Sequence, residues 1–481
     1  MKLRNASLLK GKCYINGKWI GGKEVIEVTN PATGKRVGTV PKLGKKETAD
    51  AIKGANKAWP AWKGLTAKAR AAILRKWFTL INDNADDLAY IMTSEQGKPL
   101  AEAKGEVTYA ASFVEWFAEE AKRVYGDTIP APQTSQRIVV TKEPIGVCAA
   151  ITPWNFPAAM ITRKVAPALA AGCTVVIKPA SQTPLTALAL IELAEQAGIP
   201  PGVMSLITGN SSEIGKELCS NPLVRKVSFT GSTEVGRLLM EQSASTIKKV
   251  SMELGGNAPF IVFDDADIDA AVEGAMISKY RNAGQTCVCA NRIYVQKGVY
   301  KEFVKKLVAA VEKLVVGDGT GKNVQIGPLI DEKAVEKVES HISDALGHKA
   351  KVLTGGKRSK LGGLFFEPTV IGDATQDMAF AREETFGPLA PVFKFETDED
   401  VIRMANDTEF GLAAYFYARD LGRVWRVAEQ LEYGIVGINT GLISTEVAPF
   451  GGVKQSGLGR EGSHYGIDDY LVIKYMLMGG I

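Results

Sequence analysis

The residue best suited to covalent chemistry is Cys287, in the segment NAGQTCVCA over residues 282–290. Small residues and polar backbone surround this thiol, so a substrate can reach it. Glu253 lies 34 positions earlier, beside the glycine pair Gly255 and Gly256. A thiol that attacks a carbonyl carbon needs a base, and a carboxylate can serve as one. Cys287 and Glu253 are therefore a candidate nucleophile and a candidate general base.

Other reactive side chains are scarce in this chain. The only histidines are His341, His348 and His464, which leaves little material for a histidine-based triad or a histidine-rich metal site. The six cysteines are too sparse and irregular for a disulfide framework, and the spacing of Cys287 and Cys289 is not that of a zinc site. We expect reduced thiols and no metal.

Length and composition limit the class of protein. A chain of 481 residues exceeds what one hydrophobic core usually serves, and 46% hydrophobic with 23% charged residues is typical of globular proteins. The net charge of +5 is mild, so small anionic molecules are better candidate partners than nucleic acid. The first residues lack the apolar segment of a secretory signal, and the weakly polar run 165–177 is too short to cross a bilayer. We expect a cytoplasmic protein that binds no membrane.

Alternating strands and helices must position these groups. From about Thr141, short β-branched runs alternate with longer helical patterns, which predicts parallel sheets in an α/β fold. One series of such units extends to Gly236 and a second begins at Phe260, so we predict two doubly wound lobes. The earlier residues 47–125 are predicted to be mostly helical. Residues 126–142 are predicted to form an arm, and the apolar C-terminal segment an exposed strand.

Loops after the predicted strands are candidate binding sites, because ligands bind at the carboxyl ends of strands in open α/β sheets. Lys178 directly follows one strand, predicted over residues 174–177, and can reach a ribose or a phosphate. Asn155 follows another strand, and its amide can donate to an oxyanion. Residues 231–236 open a helix whose N–H groups can face an anion. Each feature alone is also typical of an ordinary turn. Residues 457–462 match a dinucleotide fingerprint but lack a βαβ context, so we reject them as a phosphate loop.

Together these segments resemble the aldehyde dehydrogenase superfamily over almost the entire chain. Seven motifs occur in the family's order: PWNFP at 153–157, KPA at 178–180, FTGS at 229–232, ELGG at 253–256, GQTC at 284–287, ETFGP at 384–388 and PFGG at 449–452. The resemblance implies a Rossmann-like cofactor-binding domain, a catalytic domain and a β-arm that joins subunits. We assign residues 1–125 and 143–252 to the first, 253–440 to the second, and 126–142 with 468–481 to the third. A homodimer or homotetramer is expected.

The resemblance also implies a mechanism. Cys287 would attack an aldehyde, and the Asn155 amide and the cysteine's own N–H would hold the oxyanion. Glu253 would activate the water that hydrolyses the resulting thioester, and would help to deprotonate the thiol. A thiol hydrolase or acyltransferase is an alternative, but it leaves the cofactor-binding motifs unexplained.

The cofactor implied by the resemblance is NADP or NAD. The positions carried over are Trp154, Lys178, Gly231, Ser232, Glu384 and Phe386. The family's ribose-binding glutamate is replaced here by Ser181. A carboxylate would repel the 2′-phosphate of NADP, whereas a serine can donate to it. NADP should therefore be accepted, and NAD is not excluded.

Within the superfamily, the chain is most similar to succinate-semialdehyde dehydrogenases, notably over residues 95–100, 161–164 and 279–282. Arg163 and Arg281 match that group's substrate-carboxylate arginines, and Ser444 lies in the matching substrate loop. Arginine can bind a carboxylate through two parallel hydrogen bonds. The implied reaction is oxidation of succinate semialdehyde to succinate. Glutarate semialdehyde, or another short anionic aldehyde, stays an alternative because one methylene changes discrimination by only about 1–3 kcal/mol.

A second cysteine follows the predicted nucleophile. Cys289 could form a reversible disulfide with Cys287 under oxidation, which resembles a switch proposed within the group. Strain across so short a loop opposes this pairing.

Overall fold

The computed structural model describes residues 3–481, and the α/β architecture predicted from the sequence is confirmed. The strands are β1 (Cys13–Ile15), β2 (Lys18–Ile20), β3 (Val25–Thr29), β4 (Arg36–Pro41), β5 (Asp127–Ile129), β6 (Gln136–Pro144), β7 (Val147–Ile151), β8 (Thr174–Lys178), β9 (Met204–Leu206), β10 (Val224–Thr230), β11 (Lys249–Glu253), β12 (Ala258–Val262), β13 (Ala290–Gln296), β14 (Lys351–Thr354), β15 (Thr369–Ala374), β16 (Leu389–Phe395), β17 (Ala413–Tyr417), β18 (Ile435–Ile438), β19 (Gly457–Leu458) and β20 (Leu471–Gly479).

The α-helices are α1 (Lys45–Lys63), α2 (Ala67–Asp83), α3 (Ala85–Gln96), α4 (Leu100–Glu120), α5 (Ala159–Ala171), α6 (Pro184–Ala197), α7 (Ser211–Ser220), α8 (Thr233–Ala244), α9 (Ile268–Tyr280), α10 (Tyr300–Val311), α11 (Glu332–Gly347), α12 (Ala379–Arg382), α13 (Asp398–Asn406), α14 (Leu421–Gln430) and α15 (Tyr465–Asp468). Helices α1–α4 account for most of residues 47–125, as their composition predicts. Within residues 3–481, no helix combines the length and the apolar character needed to cross a bilayer.

The first sheet has eight strands in the order β19-β11-β10-β7-β8-β9-β1-β2. Strands β11, β10, β7, β8 and β9 run parallel, while β19 and β1 join the two sides antiparallel. Along β7, Val147 and Ala149 enter one core whereas Cys148 and Ala150 enter another. Successive side chains of a strand point to opposite faces, so both faces of this sheet are buried, as parallel sheets require.

The second sheet has seven strands in the order β14-β15-β16-β13-β12-β17-β18. All neighbouring pairs are parallel except β14 with β15. A separate hydrophobic core surrounds this sheet. The chain leaves the first sheet at Glu253, the last residue of β11, builds the second sheet, and returns to pair β19 with β11. Glu253 therefore lies where the chain passes from one sheet to the other.

The arm is a third, antiparallel sheet with the order β20-β6-β5. Strand β20 pairs with β6 over nine residues, from Leu471 opposite Pro144 to Gly479 opposite Gln136. The predicted C-terminal strand therefore pairs within its own chain. Ile473 on β20 is 74% exposed, and Tyr475 and Leu477 are also exposed. This apolar surface is available for contact with another subunit.

Candidate active site

A cavity of about 220 Å³ lies at the carboxyl ends of β7 and β10. The first lobe and the residues beyond β12 both contribute to its wall. The lining residues are Pro153, Trp154, Asn155, Met160, Thr230, Gly231, Ser232, Leu254, Gly255, Cys287, Glu384 and Phe386. This position is where open parallel sheets bind ligands. The structure thus brings together seven of the site residues predicted from the sequence.

The thiol follows a strained turn after α9. Asn282, Ala283 and Gly284 have φ values of 52°, 55° and 76° in succession. This left-handed backbone is costly for alanine, and such strain concentrates at functional sites. Hydrogen bonds restrain the turn: the N–H of Asn282 donates to Glu102 at 2.8 Å, and Gln285 Nε2 donates to Asn282 O at 3.1 Å. The turn presents Cys287 to the cavity.

Burial controls the ionisation of the nucleophile. Loss of solvent raises the pKa of Cys287 to about 12, the charge of Arg163 opposes this rise, and the charge of Glu253 adds to it. The thiol is therefore neutral at rest. Its attack on a carbonyl requires a group that accepts its proton.

Glu253 has the electrostatic properties of that group, although it does not line the cavity. Its side chain is almost fully buried, and neither carboxylate oxygen has a hydrogen-bond partner among the described residues. Burial, together with the charge of Glu461, raises the pKa of Glu253 to about 8, while Arg163 and Lys164 act in the opposite direction. A carboxylate with a pKa near neutrality can both accept and release a proton at physiological pH.

Asn155 is held firmly beside the thiol. Its Nδ2 donates to Gln285 O at 3.1 Å, which uses one of the two amide hydrogens. Its backbone carbonyl accepts hydrogen bonds from Lys98 Nζ at 2.7 Å and from Asn282 Nδ2 at 3.1 Å. One amide hydrogen remains for a ligand in the cavity.

The wall of this cavity that contains Trp154, Ser232 and Phe386 has the features of a dinucleotide site. Ser232 is the N-cap of α8, where its Oγ accepts from Val235 N at 3.4 Å. A Cβ at Gly231 would lie 2.4 Å from the ring of Phe229, so a larger residue in this turn would displace that ring. Phe386 packs edge-on against Trp154 with ring centroids 5.5 Å apart. Helix N-termini bind phosphate groups, and the aromatic pair offers a surface for a flat ring.

Glu384 also lies in this wall. Its Oε1 accepts the N–H of Gly256 at 3.3 Å, and burial raises its pKa to about 8. The hydrogen bond places the carboxyl next to the ELGG segment that carries Glu253.

Lys178 and Ser181 are near the cavity but do not line it. Lys178 ends β8, and its carbonyl accepts the N–H of Thr152 at 3.1 Å, which links it to the loop that carries Trp154. Burial lowers the pKa of Lys178 to about 8. Among residues 3–481, its Nζ donates one hydrogen bond, to Pro179 O at 3.1 Å. Ser181 is half-buried three residues later. Both residues can meet the outer part of a dinucleotide that starts in the cavity.

A second, narrow cavity lies on the other side of the thiol. Its lining residues are Tyr109, Phe156, Met160, Arg163, Arg281, Thr286, Cys287, Val288, Ser444 and Phe450. The structure thus brings all three predicted substrate residues to one cavity. The guanidinium of Arg281 lies 4.8 Å from the ring of Phe156. Arg281 forms no ion pair within residues 3–481, so its charge next to the thiol creates a site for an anionic group.

Arg163 is more constrained than the sequence suggests. Its Nε forms an ion pair with Glu461, and its Cζ lies 4.3 Å from the ring of Phe450. One of its terminal nitrogens is buried without a hydrogen-bond partner among the described residues. That nitrogen is free to bind a ligand.

Cys289 lies away from the cavity. It is buried, and its Sγ donates to Lys279 O at 3.3 Å. Burial raises its pKa, although Lys279 acts against the rise. A disulfide with Cys287 would need this thiol to leave its hydrogen bond.

Sequence reasoning missed the charges behind the site. Glu461 binds both Arg163 and Lys164, the latter at 2.5 Å. It lies within residues 457–462, where the sequence shows only a dinucleotide fingerprint without a βαβ context. Lys98 and Glu106 form another buried pair at 2.5 Å. Neither pair has a signal in the spacing of the chain. The only sequence signal for these buried ion pairs is the presence of charged residues within apolar segments.

Comparison with known proteins agrees with this site. The profile of the aldehyde dehydrogenase family matches residues 19–476. The chain is 67% identical to the glutarate-semialdehyde dehydrogenase of Pseudomonas aeruginosa, over 100% of both chains. It is also 67% identical to the NADP(+)-dependent succinate-semialdehyde dehydrogenase of Escherichia coli, again over 100% of both chains. A crystal structure of the succinate-semialdehyde dehydrogenase from Burkholderia pseudomallei superposes with a TM-score of 0.99 at 66% identity, covering 100% of each chain.

The motifs, the two parallel sheets and the thiol between two cavities are therefore explained by common descent. The chain belongs to the aldehyde dehydrogenase family.

Proposed function

We propose that the protein oxidises succinate semialdehyde to succinate with NADP+ or NAD+, through a thioester on Cys287. The observation that carries this proposal is the position of one thiol between two cavities of different character. One fits a dinucleotide, and the other contains Arg163, Arg281 and Ser444. An aldehyde with a distal carboxylate would place its carbonyl at the sulfur and its charge between the arginines.

Substrate binding relies on the second cavity. Arg281 and the unpartnered nitrogen of Arg163 bind the carboxylate, and the hydroxyl of Ser444 adds a donor at the same end. Charge-assisted hydrogen bonds of this kind are about twice as strong as neutral ones. They orient the short substrate so that its carbonyl carbon faces Cys287.

The first step forms a bond between Cys287 Sγ and the carbonyl carbon. The thiol proton passes to Glu253, whose charge is among the influences on the thiol's pKa. The carbonyl oxygen becomes an oxyanion, which the remaining Asn155 amide hydrogen and the N–H of Cys287 stabilise. Loss of one such donor typically costs about 100- to 1,000-fold in rate.

The dinucleotide supplies the acceptor for the hydride that leaves the substrate carbon, which converts the adduct to a thioester. Trp154, Gly231, Ser232, Glu384 and Phe386 would hold it, with Lys178 and Ser181 at its ribose. Glu253 first releases the thiol proton to solvent, and it then takes a proton from water, which attacks the thioester. The carbon–sulfur bond breaks, and Cys287 recovers its proton as the acid leaves.

The decisive experiment follows nicotinamide reduction with a panel of aldehydes, in wild type and in Cys287→Ala. We expect the highest kcat/KM for succinate semialdehyde and no turnover in the variant. Turnover that survives in Cys287→Ala would refute the mechanism.

Glutarate semialdehyde is the second candidate substrate, because a relative of equal identity carries that name. One additional methylene is worth about 1–3 kcal/mol in a pocket. Steady-state rates with both aldehydes distinguish the two. A higher kcat/KM for glutarate semialdehyde would replace the assignment to succinate semialdehyde.

We further propose a homodimer or homotetramer joined through the arm, and a cytoplasmic location, where a catalytic thiol stays reduced. The domain roles follow the same proposal: residues 1–125 and 143–252 bind the dinucleotide, residues 253–440 carry the thiol, and residues 126–142 and 468–481 join subunits. The exposed apolar side chains of β20 support the last of these roles.

A further inference from the structure

The turn between α3 and α4 contains a buried lysine that the mechanism above does not use. Lys98 is 2% exposed, and its Nζ lies 2.5 Å from Glu106 Oε2 and 2.7 Å from Asn155 O. Its pKa is lowered by burial, against the influence of Glu106. A buried ammonium is retained only where hydrogen bonds compensate for lost water. Here, one of those bonds goes to the backbone of the proposed oxyanion donor.

Glu106 extends the same contact to the other side of the loop. Its Oε1 accepts the N–H groups of Ala158 and Ala159 at 2.9 and 3.2 Å, where α5 begins. The pair of Lys98 and Glu106 therefore fixes the segment 155–159 at two points, one at Asn155 and one at the start of the helix. This leaves the segment little freedom to rotate.

The thiol turn meets the same carbonyl. Asn282 Nδ2 donates to Asn155 O at 3.1 Å, and Asn282 Oδ1 accepts from Gln96 Nε2 at 3.0 Å. Gln96 Oε1 in turn accepts the N–H of Lys98 at 2.9 Å. The Asn155 carbonyl thus receives one donor from the α3–α4 turn and one from the segment that carries the nucleophile. The backbone oxygen of Asn155 therefore fixes the distance between the α3–α4 turn and the segment that carries Cys287.

A ring adjoins this network. Lys98 Nζ lies 4.0 Å from the centroid of Phe156, the ring that Arg281 also approaches. Phe156 lines the proposed substrate cavity. The lysine therefore touches the backbone of one proposed catalytic residue and the side chain next to it.

We propose that Lys98 is a positioning residue for aldehyde oxidation, which holds the Asn155 carbonyl so that the amide of Asn155 faces the carbonyl oxygen of a substrate on Cys287. This role rests on the proposed function of Asn155. Lys98 itself lies in neither cavity lining and contacts no reacting atom. Its contribution is geometric, and a displacement of about 1 Å in such a site can cost about 100-fold in rate.

A double-mutant cycle tests this role. Lys98→Met, Asn155→Ala and the double variant are compared with wild type in kcat and in KM for NADP. We expect Lys98→Met to lower kcat by about 10- to 100-fold, with KM for NADP changed less than about twofold. In the Asn155→Ala background, Lys98→Met should change kcat by less than about threefold, because the group that it positions is already absent.

Three results would overturn the role: effects that multiply in the double variant, a Lys98→Met kcat within about threefold of wild type, or an Asn155→Ala kcat within the same range. If Lys98→Met does not fold, as judged by circular dichroism, the cycle is run with Lys98→Met/Glu106→Gln, which leaves no buried unpaired carboxylate.

Two further readings separate positioning from general damage. In Lys98→Met, iodoacetamide should alkylate Cys287 at a rate within about twofold of the wild-type rate, because Lys98 does not contact the thiol. A fall beyond about fivefold would mean that the whole site is disturbed, and would refute the assigned role. Lys226→Met is the matched control: Lys226 is another fully buried lysine, bound to Ser251 on β11, and its loss should leave kcat unchanged.

The substrate assignment and the role of Lys98 can fail separately. The cycle is run with succinate semialdehyde and with propanal, which has no carboxylate. A wild-type enzyme that oxidises propanal but not succinate semialdehyde would refute the proposed substrate, while the cycle on propanal would still decide the role of Lys98.

Discussion

Arg163 and Glu461, which are 298 positions apart, form an ion pair next to the nucleophile. Arg163 is 1% exposed and Glu461 also binds Lys164, so the carboxylate is shared by two cations. Burial alone would raise the pKa of Glu461, yet these two cations lower it to about 2. Arg163 therefore neutralises Glu461 and keeps one nitrogen without a partner among the described residues, which the proposed function assigns to the substrate carboxylate. Arg281 has no such ion pair within residues 3–481, which makes the two arginines experimentally separable.

Arg281→Gln should weaken substrate binding and leave the fold intact. Loss of a charge-assisted hydrogen bond to the carboxylate predicts a KM for succinate semialdehyde about 10- to 100-fold higher than in wild type. The KM for propanal should be unchanged, because that aldehyde has no carboxylate. Steady-state kinetics with both substrates measure this difference, and an equal rise in both KM values would contradict the assigned role.

Arg163→Gln and Glu461→Gln should shift the pH dependence of kcat in opposite directions. The charge of Glu461 raises the pKa of Glu253, and that of Arg163 lowers it. In Glu461→Gln, kcat should therefore rise at a lower pH than in wild type. In Arg163→Gln, kcat should rise at a higher pH than in wild type. Profiles of kcat from pH 6 to pH 10 test the signs. Arg163→Gln should also destabilise the fold by about 3–5 kcal/mol, because it breaks a buried ion pair.

Glu253→Gln should lower kcat by about 100- to 10,000-fold through loss of the general base. It should also change how stability depends on pH. An unfolded Glu253 ionises above its ordinary pKa of 4.5, whereas the folded one keeps its proton up to about 8. The folded protein thus binds more protons across this range, and its free energy of unfolding falls as the pH rises, by up to roughly 1.4 kcal/mol per pH unit.

The glutamine variant lacks that fall. The Tm of Glu253→Gln minus the Tm of the wild type should therefore be larger at pH 8 than at pH 5, as measured by thermal unfolding. Glu384, whose pKa is also raised to about 8, is present in both proteins and cancels in the comparison. An equal difference at the two pH values would mean that Glu253 is ionised throughout.

Ser181→Glu should change the choice of cofactor. A carboxylate at this half-buried position repels the 2′-phosphate of NADP by about 1–3 kcal/mol, so KM for NADP should rise about 10- to 100-fold. The KM for NAD should stay within a few-fold of wild type. Gln182→Glu is the control, since it adds the same charge at the exposed neighbouring position. Equal effects of both variants would exclude a specific contact at Ser181.

Ile473→Asp should disrupt assembly without unfolding the chain. Ile473 is 74% exposed on β20, so a charge there costs little within one subunit but is unfavourable in an apolar interface. Light scattering after size-exclusion chromatography should show a fall in mass towards that of a single chain. Leu361→Asp, at another exposed apolar position, should leave the mass unchanged. An unaltered mass in Ile473→Asp would remove β20 from the interface.

Several features were predictable because they follow local patterns. The strand before Lys178, which the sequence places at residues 174–177, the helix after it and the carboxyl-end loops follow from β-branched runs and turn residues. Parallel strands place such loops at one edge of a sheet. This is why Asn155 and Gly231 meet in one cavity. Cys287 reaches the same cavity from the turn between α9 and β13, which the rule for carboxyl-end loops does not cover. The short strands β1 and β2 were not predicted, because three-residue edge strands have little periodicity.

Contacts between distant parts of the chain could not be predicted from local sequence patterns. Glu461 reaches Arg163 because β19 adds antiparallel to β11, and no local signal predicts that pairing. The contact of Lys98 with Asn155 O depends on how α4 packs against α5, which spacing alone does not reveal. Both cases involve charges buried by tertiary packing, where local propensity carries no information.

The neutral state of Cys287 has a consequence for chemical inhibition. Most cysteine-directed electrophiles depend on a thiolate, and a thiol with a pKa of about 12 is almost wholly protonated in the resting enzyme. General alkylating reagents should therefore label this residue slowly. A selective covalent inhibitor would instead carry a carbonyl-like warhead on an anionic scaffold, so that the Arg281 side of the cavity holds it while the enzyme's own base generates the nucleophile.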